Sequence, residues 1–400
     1  MMRRKLKRGR YPVFGKRRGM PPFLKAMLWI VVCVAVVAAG YFGAMVVSDG
    51  GLPTRPKTPA SNIDAPAGNP NTPNQGGNTG DKPTTPDTPK PPVDTPDVSE
   101  SIRAFYLPAF ALSGEDLDAT FSAARAAGFN AVVFDLKDAD GNLYYQFANA
   151  QAKKVGFADG ALSAADLTAL IDGMKDNGLA PIPRLYAFCD NAAASALTDA
   201  RIPLESNHSW AWYDGDPNDG GKKWLNPYSE AAHTYISGLA AELKDKGVAA
   251  IMLEGVQFPK QLSSAYLGED AATVTKDAIL TTFVEKIRTQ LGSDCSLLLG
   301  CTSAGALGTD TKIYGGNPLT FGASTVSPFL SSKVQESVEK MMLRIKVLEQ
   351  KPILTPMLSI GGITEKQVND TIAACIKSGA ESFILFDAEG YYDFSAYTLP

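Results

Sequence analysis

The sequence has few of the residues that build metal and thiol chemistry. Only five cysteines and two histidines occur among its 400 residues. One cysteine, Cys33, lies in an apolar run, and no pair of the other four has the spacing of a metal site. The two histidines, His208 and His233, do not form an HExxH-type zinc motif. We therefore expect no metal site and no bound cofactor.

Phosphate-binding loops and serine-nucleophile motifs are also missing. The Gly-Gly pairs at 315–316 and 361–362 are typical of turns, because neither belongs to a phosphate loop or a dinucleotide fingerprint. No GxSxG motif or Ser/His/Asp arrangement stands out. The segment 214–221 is partly similar to a calcium loop, but Asp219 stands where the loop needs glycine. A polar hairpin is the interpretation we prefer there.

Acidic residues are absent from the first 25 positions, which hold ten Lys or Arg. Residues 26–47 then form an uncharged run, and about 20 such residues cross a hydrocarbon core of about 30 Å. The run is longer than the apolar region of a secretory signal and offers only a weak cleavage site. It predicts a retained signal anchor, with the basic segment 1–25 cytoplasmic and the rest of the chain extracytoplasmic. Beside a membrane span, we expect the basic flank to bind no nucleic acid.

Large apolar residues are nearly absent from residues 48–100, which are rich in Pro, Thr, Asn, Gly and Asp. Such a segment cannot bury enough apolar surface to offset its ordering entropy, so it predicts a disordered linker. Proline-rich chains extend by about 3.1 Å per residue, which gives a reach on the order of 150 Å. That length suits passage through a cell wall.

Residues 101–400 are long enough to bury one sizeable core. Short apolar runs alternate there with amphipathic helical segments, and eight strands can be counted. This alternation predicts a (β/α)8 barrel rather than an open doubly wound sheet. The predicted strands cover 102–110, 131–135, 180–188, 249–254, 296–301, 323–326, 353–358 and 382–387, and the sixth is the weakest.

Polar residues at the ends of these strands predict one shared cleft, because the carboxyl ends of parallel barrel strands form the functional face. Carboxylates accompanied by aromatic and amide groups are typical of a sugar-binding cleft. Glycoside hydrolysis needs two carboxyl groups, about 5–5.5 Å apart for retention or about 6.5–9.5 Å apart for inversion. The candidates are Asp135, Lys137 and Asp138 after the second strand, Arg184 on the third, Glu254 on the fourth, Asp387 on the eighth, and Trp224, Asn226 and Tyr228 in the long loop.

Most of these residues also have a purely structural interpretation. Asp135 and Lys137 could pair at a barrel rim, Arg184 could be a structural ion-pair partner, and Asp387 could cap the following turn. The long-loop tryptophans Trp210, Trp212 and Trp224 could form a hydrophobic cluster. Glu254 is the strongest functional candidate, because a lone carboxylate that ends an apolar strand is costly to bury.

Four motifs in order resemble a family of bacterial glycoside hydrolases whose substrates are largely unassigned. They are AVVFDLKDADGNLYY (131–145), PIPRLYAFCD (181–190), WLNPYS (224–229) and IMLEGVQFP (251–259). The resemblance spans roughly 103–392 and implies a (β/α)8 protein that is membrane-anchored or secreted. Family positions are matched by Asp135, Lys137, Asp138, Asp140, Gly141, Arg184, Asn226, Pro227 and Tyr228.

The chain departs from the family at several strand ends. Where relatives typically read Asp-Tyr-x-Arg-Phe-Pro, residues 254–259 read EGVQFP. Relatives tend to carry an acidic residue on the fifth and sixth strands, and this chain has none there. Asp387 stands near a position where relatives usually have Asn. The identity of the second acid of an acid/base pair is therefore left open.

The sequence predicts a membrane-anchored, extracytoplasmic glycoside-hydrolase-like barrel. Its expected partners are cell-wall or extracellular polysaccharide, peptidoglycan included, and the membrane through residues 26–47. The alternative is a degenerate barrel that binds glycan without cleaving it, or an envelope scaffold. In the catalytic version Glu254 is nucleophile or base, Asp135, Asp138 or Asp387 supplies the proton, and Lys137, Arg184, Trp224, Asn226 and Tyr228 bind substrate.

Overall fold

The computed structural model describes residues 101–114 and 116–399. The predicted basic segment, signal anchor and linker (1–25, 26–47 and 48–100) lie outside the described residues. Within the described ranges, no helix is both long enough and apolar enough to cross a bilayer.

Parallel strands in the described ranges close into an eight-stranded barrel. Each strand pairs with the next along the chain, and Arg103 on the first strand pairs with Phe383 on the last. The predicted (β/α)8 barrel is thus confirmed for these residues. The strands are β1 (Arg103–Leu107), β2 (Ala131–Lys137), β3 (Ala180–Tyr186), β4 (Ala250–Glu254), β5 (Ser296–Thr302), β6 (Thr325–Leu330), β7 in two segments (Ile353–Leu354 and Met357–Ser359) and β8 (Phe383–Phe386).

The sixth and seventh strands differ most from the sequence expectation. The expected sixth strand ended at Val326, before a Ser-Pro pair that is typical of a turn. In the structure β6 continues through Pro328, which pairs with Cys301 of β5. The seventh strand is interrupted after Leu354, and its second segment closes the barrel by pairing with both β6 and β8.

Helices follow the strands, and local capping explains several of their starts. Ser163 and Thr364 each begin a helix with a capping box, in which the third helical residue bonds back to the cap. The helix after β5 is a single turn. The helices are α1 (Leu117–Ala126), α2 (Ala150–Val155), α3 (Ala164–Asp176), α4 (Asn191–Ala196), α5 (Glu230–Asp245), α6 (Lys276–Leu291), α7 (Ser303–Ala306), α8 (Val334–Lys346) and α9 (Glu365–Lys377).

The interior of the barrel is layered, because alternate side chains of a strand point to the same face. Small and aliphatic residues fill the lower layers: Ala104, Ala131, Val133, Ala180, Ile182, Ala250, Met252, Leu298 and Ile384. The next inward position on the same strands, toward their carboxyl ends, is mostly polar or aromatic. These residues are Tyr106, Asp135, Arg184, Glu254, Gly300 and Phe386. The alternation therefore places a layer of mostly polar and aromatic side chains directly next to the apolar core, at the carboxyl ends of the strands.

The long connection after β3 carries a small antiparallel hairpin, formed by Pro203–Leu204 and Asn207–Ala211. The hairpin packs against the connection that follows β4, where Leu204 forms a bridge with Ala265. Both connections leave the carboxyl ends of their strands. They therefore stand at the same end of the barrel as the polar layer.

Candidate active site

One guanidinium joins two carboxyl groups at the carboxyl ends of β2, β3 and β4. Arg184 Nε lies 2.6 Å from Asp135 Oδ1, and its Nη2 donates to Asp135 Oδ2 at 3.0 Å. Arg184 Nη1 lies 3.8 Å from Glu254 Oε1. Because one planar group contacts both acids, their carboxyl groups are less than about 10 Å apart, which admits either separation that glycoside hydrolysis uses.

Aromatic rings surround this guanidinium. Its central carbon lies 4.7 Å from the ring centre of Tyr106, 5.3 Å from that of Tyr186 and 5.6 Å from that of Phe386. Such contacts attract a cation, and more strongly when water is excluded. Tyr106 also donates its hydroxyl to Asp135 Oδ2 at 2.6 Å, so both carboxylate oxygens of Asp135 have partners. We call Tyr106, Asp135, Arg184 and Glu254 the Arg184 cluster.

Two glycines give Glu254 its position. A Cβ added at Gly300 of β5 would lie 2.6 Å from the Glu254 carboxyl carbon, so only glycine leaves room for that side chain. Gly255 turns the chain directly after β4 with φ of +65°, a conformation that favours glycine. The Glu254 side chain keeps 17% of its surface exposed, compared with 9% for Asp135. Glu254 is therefore the more exposed of the two carboxyl groups.

The surroundings of Glu254 favour its protonated form. Burial raises the pKa of Glu254, Arg184 acts in the opposite direction, and the nearby charge of Asp135 raises it further. Asp135 is bound bidentately by Arg184. The expectation that Glu254 is nucleophile or base stays a prediction, and a raised pKa is the property that a general acid needs.

A cavity of about 480 Å³ opens beside Asp135. Its size falls in the usual range of ligand pockets, about 300–1,000 Å³. The wall combines polar groups, among them Asp138, Tyr144 and Asp159, with the ring of Phe110, which is 69% exposed. We call this space the mouth cavity. A larger open groove of about 650 Å³ is lined by residues of α8 and α9 and shares no lining residue with the Arg184 cluster.

Asp138 and Asp387 lie in loops, where neighbouring groups donate hydrogen bonds to their carboxylates. Burial acts to raise the pKa of Asp138, but hydrogen bonds from Asn142, Tyr144 and Asp140 lower it overall. An acid held in its ionised form is poorly suited to supply a proton. Asp387 Oδ1 accepts the Glu389 N–H at 2.9 Å, as expected for a residue that caps the following turn.

Lys137 is buried, contrary to the expectation that it binds substrate. Its ammonium lies 2.9 Å from Asp190 Oδ2 and donates to the Tyr186 carbonyl, and neither charged side chain is exposed. The register between β2 and β3 shifts between Asp135 and Lys137. This irregularity turns the Lys137 side chain toward the interior. Asp190 also accepts the Ala193 N–H at 2.6 Å, so the pair ties β2 to the start of α4.

The three candidates from the long loop are engaged in internal contacts. Trp224 is buried and donates its indole N–H to Asp214. Asn226 donates to the Leu267 carbonyl, and Tyr228 donates its hydroxyl to the Val274 carbonyl. These bonds hold the loops that follow β3 and β4 together. Of the residues expected to share a cleft, the structure joins Asp135, Arg184 and Glu254 by direct contacts.

Sequence reasoning missed Tyr106, Tyr186, Phe386 and Gly300. The alternation of inward positions could have found Tyr106 and Phe386, because each lies two residues beyond an inward core residue. Gly300 had no recognisable signal, since its role depends on a side chain of the neighbouring strand. Within the described ranges, no group of three or more His, Cys, Asp or Glu could hold a metal ion.

The buried pair of Lys137 and Asp190 generates a stability prediction. Lys137→Met should lower the free energy of unfolding by about 3–5 kcal/mol, because it leaves a buried carboxylate without its partner. The double variant Lys137→Met/Asp190→Asn should recover much of this loss, since Asn can still cap α4. Urea unfolding monitored by circular dichroism measures both.

The matched control is Lys222→Ala, which breaks the half-exposed ion pair with Asp140 and should cost less than about 1 kcal/mol. Equal losses for the Lys137 and Lys222 variants would contradict a structural role for the buried pair.

Comparison with known proteins identifies one family. The profile of the family described as "Putative glycosyl hydrolase domain" matches residues 104–302. These residues include β1 to β5 and every member of the Arg184 cluster. No curated protein sequence matches the chain significantly.

Solved structures give weaker likenesses. A hypothetical protein from Ruminiclostridium thermocellum is 24% identical, over 48% of this chain and 96% of that one, with a TM-score of 0.41. The glycoside hydrolase domain of PelA from Pseudomonas aeruginosa is 14% identical, over 73% and 96%, with a TM-score of 0.43. Flavobacterium johnsoniae chitobiase is 11% identical, over 72% of this chain but only 44% of its own, with a TM-score of 0.48. Because these TM-scores lie below 0.5, the likenesses carry no argument about fold or function.

The family match assigns the barrel a carbohydrate-related function. It covers the strands that carry Asp135, Arg184 and Glu254. Residues 104–302 therefore match this family of glycosyl hydrolase domains, as a divergent member.

Proposed function

We propose that the barrel hydrolyses glycosidic bonds of an extracytoplasmic polysaccharide, with Glu254 as general acid and Asp135 as nucleophile or base. The observation that carries this proposal is that two carboxyl groups in different surroundings share Arg184. Burial raises the pKa of Glu254, while Asp135 accepts two hydrogen bonds from Arg184. Glycosidases that use two carboxylic acids need one proton donor and one carboxylate.

The proposed reaction begins with transfer of the Glu254 proton to the glycosidic oxygen as its bond to the anomeric carbon breaks. The leaving sugar departs as an alcohol. The Asp135 carboxylate then either attacks the anomeric carbon or removes a proton from a water that attacks it. In the first route a water molecule then cleaves the ester between the sugar and Asp135, and the Glu254 carboxylate takes the proton of that water. Either route then ends with a sugar that has a free reducing end. Arg184 orients Asp135 through two hydrogen bonds, and the cation faces both carboxyl groups throughout.

The mouth cavity provides the proposed sugar site. Asp159 can accept hydrogen bonds from sugar hydroxyls, and the exposed ring of Phe110 offers a face for stacking. Asp135 and Tyr106 form part of the same wall. A sugar bound there would therefore contact the carboxylate that attacks or activates water.

The substrate class we propose is cell-wall or other extracellular polysaccharide, peptidoglycan included. The support comes from the sequence outside the described residues: a basic flank, an uncharged run at 26–47 and a Pro-rich segment at 48–100. This order predicts an anchor in the membrane and a spacer that presents the barrel to the wall.

A second candidate is a glycan-binding or scaffold barrel without turnover. One observation favours it: Asp135 already accepts three hydrogen bonds, from Arg184 and Tyr106, which reduce its nucleophilicity. Strands β5 and β6 also contain no carboxylate that could replace it.

Turnover by variants of the full-length chain separates the two candidates. Probes are glycol chitin, hydroxyethyl cellulose and peptidoglycan sacculi, and the measurement is the release of reducing ends. Glu254→Gln keeps the shape but removes the transferable proton, so turnover should fall about 10²–10⁴-fold. The turnover of Asp135→Asn should fall at least as far. Both variants should continue to bind the glycan.

The control is Glu336→Gln, which removes a carboxylate from an exposed pair on α8 and should leave turnover unchanged. If the wild-type chain binds a glycan but releases no reducing ends, the hydrolase proposal fails and the scaffold candidate replaces it.

The anchor yields a separate prediction. Protease added to intact cells should release a barrel fragment into the medium and leave the basic segment 1–25 protected, because the span shields it. Immunoblotting with a tag at each end measures both products. Full-length chain found freely soluble in the medium would rule out a retained anchor.

A further inference from the structure

We propose that an exposed aromatic surface on the hairpin after β3 is a second glycan-binding site, which takes an extended polysaccharide chain outside the mouth cavity. The surface consists of the exposed His208 and Trp210 and the half-buried Tyr266, and we call it the aromatic patch. The inference rests on the proposed function in one respect, namely that the ligand of the barrel is a polysaccharide.

Trp210 differs from the other two tryptophans of this loop. Trp212 and Trp224 are buried, and each donates its indole N–H within the protein, to the Ser263 carbonyl and to Asp214. Trp210 is 64% exposed. Among the described residues, no hydrogen-bond acceptor contacts its N–H. Its ring and its donor are therefore both available to a ligand from solution.

A stacked pair of rings extends this surface. The rings of His208 and Tyr266 lie 3.9 Å apart at an interplanar angle of 19°. His208 and Trp210 are two residues apart on the strand Asn207–Ala211, so their side chains leave the same face, about 7 Å apart along the strand. Flat aromatic groups at such intervals suit the apolar faces of successive sugar rings in a chain.

The backbone under the patch is held in place by bonds between two connections. The Glu205 N–H donates to the Ser264 carbonyl at 2.8 Å, and the Tyr266 N–H donates to the Pro203 carbonyl at 3.0 Å. Arg201 Nη2 donates to the Ser209 carbonyl at 2.7 Å. A rigid platform loses little conformational entropy when it binds, which increases affinity.

The position of the patch links it to the Arg184 cluster. The hairpin follows β3, which carries Arg184, and Tyr266 lies in the connection after β4, which ends at Glu254. The patch and the mouth cavity therefore stand at the same end of the barrel. The patch lies on the β3–β4 side, and the mouth cavity lies on the β1–β2 side. A polymer that contacts both gains affinity because the second contact is intramolecular, whereas a short oligosaccharide contacts only one.

The test compares polymer and short-substrate behaviour of the full-length chain. Binding to glycol chitin and hydroxyethyl cellulose is measured by affinity electrophoresis, and binding to peptidoglycan sacculi by co-sedimentation. Trp210→Ala should weaken binding about 10-fold to the polymer that retains the wild-type chain. Trp210→Phe keeps an aromatic face and should stay within about threefold of wild type, since stacking tolerates a change of ring.

Leu343→Ala on α8 is the matched control, because it truncates an equally exposed apolar side chain, 66% exposed, outside the patch. It should leave polymer binding unchanged. Three results would each overturn the inference. Trp210→Ala could keep wild-type affinity, Leu343→Ala could lose as much affinity as Trp210→Ala, or the wild-type chain could bind none of the three polymers.

Failure of the hydrolase proposal can be recognised separately. If the wild-type chain binds a polymer without releasing reducing ends, the hydrolase proposal fails, and the Trp210→Ala comparison still decides the role of the patch. If reducing ends are released, Trp210→Ala should retain wild-type turnover of oligosaccharides too short to reach the patch while its turnover of the polymer falls.

Discussion

The arrangement of the barrel mouth depends on the burial of one cation. Arg184 is 5% exposed, and a buried guanidinium requires anionic and hydrogen-bonding partners. Asp135 supplies the bidentate partner, Glu254 supplies a second and more distant carboxyl group, and three aromatic rings fill the remaining surroundings. The same cation that binds Asp135 bidentately lies 3.8 Å from Glu254, and burial there outweighs its effect on the pKa of Glu254. One cation thus contacts two carboxyl groups in different surroundings.

The residues that pack below and beside the Arg184 cluster hold its side chains in position. Small and aliphatic residues pack the lower barrel, so the polar layer rests on a close-packed floor. The buried pair of Lys137 and Asp190 fixes the end of β2 against α4. Gly300 leaves the space into which Glu254 extends. Loop contacts made by Trp224, Asn226 and Tyr228 connect the segments that carry the aromatic patch.

Much of the fold could be predicted from the sequence, because the barrel strands are continuous apolar runs bounded by turn residues. The meeting of Asp135, Arg184 and Glu254 was also predictable, since each ends or nearly ends a parallel strand. Other features depend on contacts between distant segments. The register shift beside Lys137 turns this strand-end lysine toward the interior, and no local sequence pattern predicts the shift. The proposed role of Glu254 as acid depends on burial, and Gly300 of another strand leaves the space for that side chain. The expected sixth strand ended at Val326, yet β6 continues through Pro328, although proline has no N–H to donate within a sheet.

The central claim is that burial and the neighbouring Asp135 raise the pKa of Glu254, as a general acid requires. The most direct measurement is a pH titration of the Glu254 side-chain carboxyl by ¹³C NMR, in the wild-type chain and in Asp135→Asn. In the wild-type chain the pKa of Glu254 should lie above the ordinary value of 4.5. It should fall in Asp135→Asn, because a neighbouring negative charge has been removed. A wild-type pKa at or below 4.5, or a value that Asp135→Asn leaves unchanged, would contradict the account.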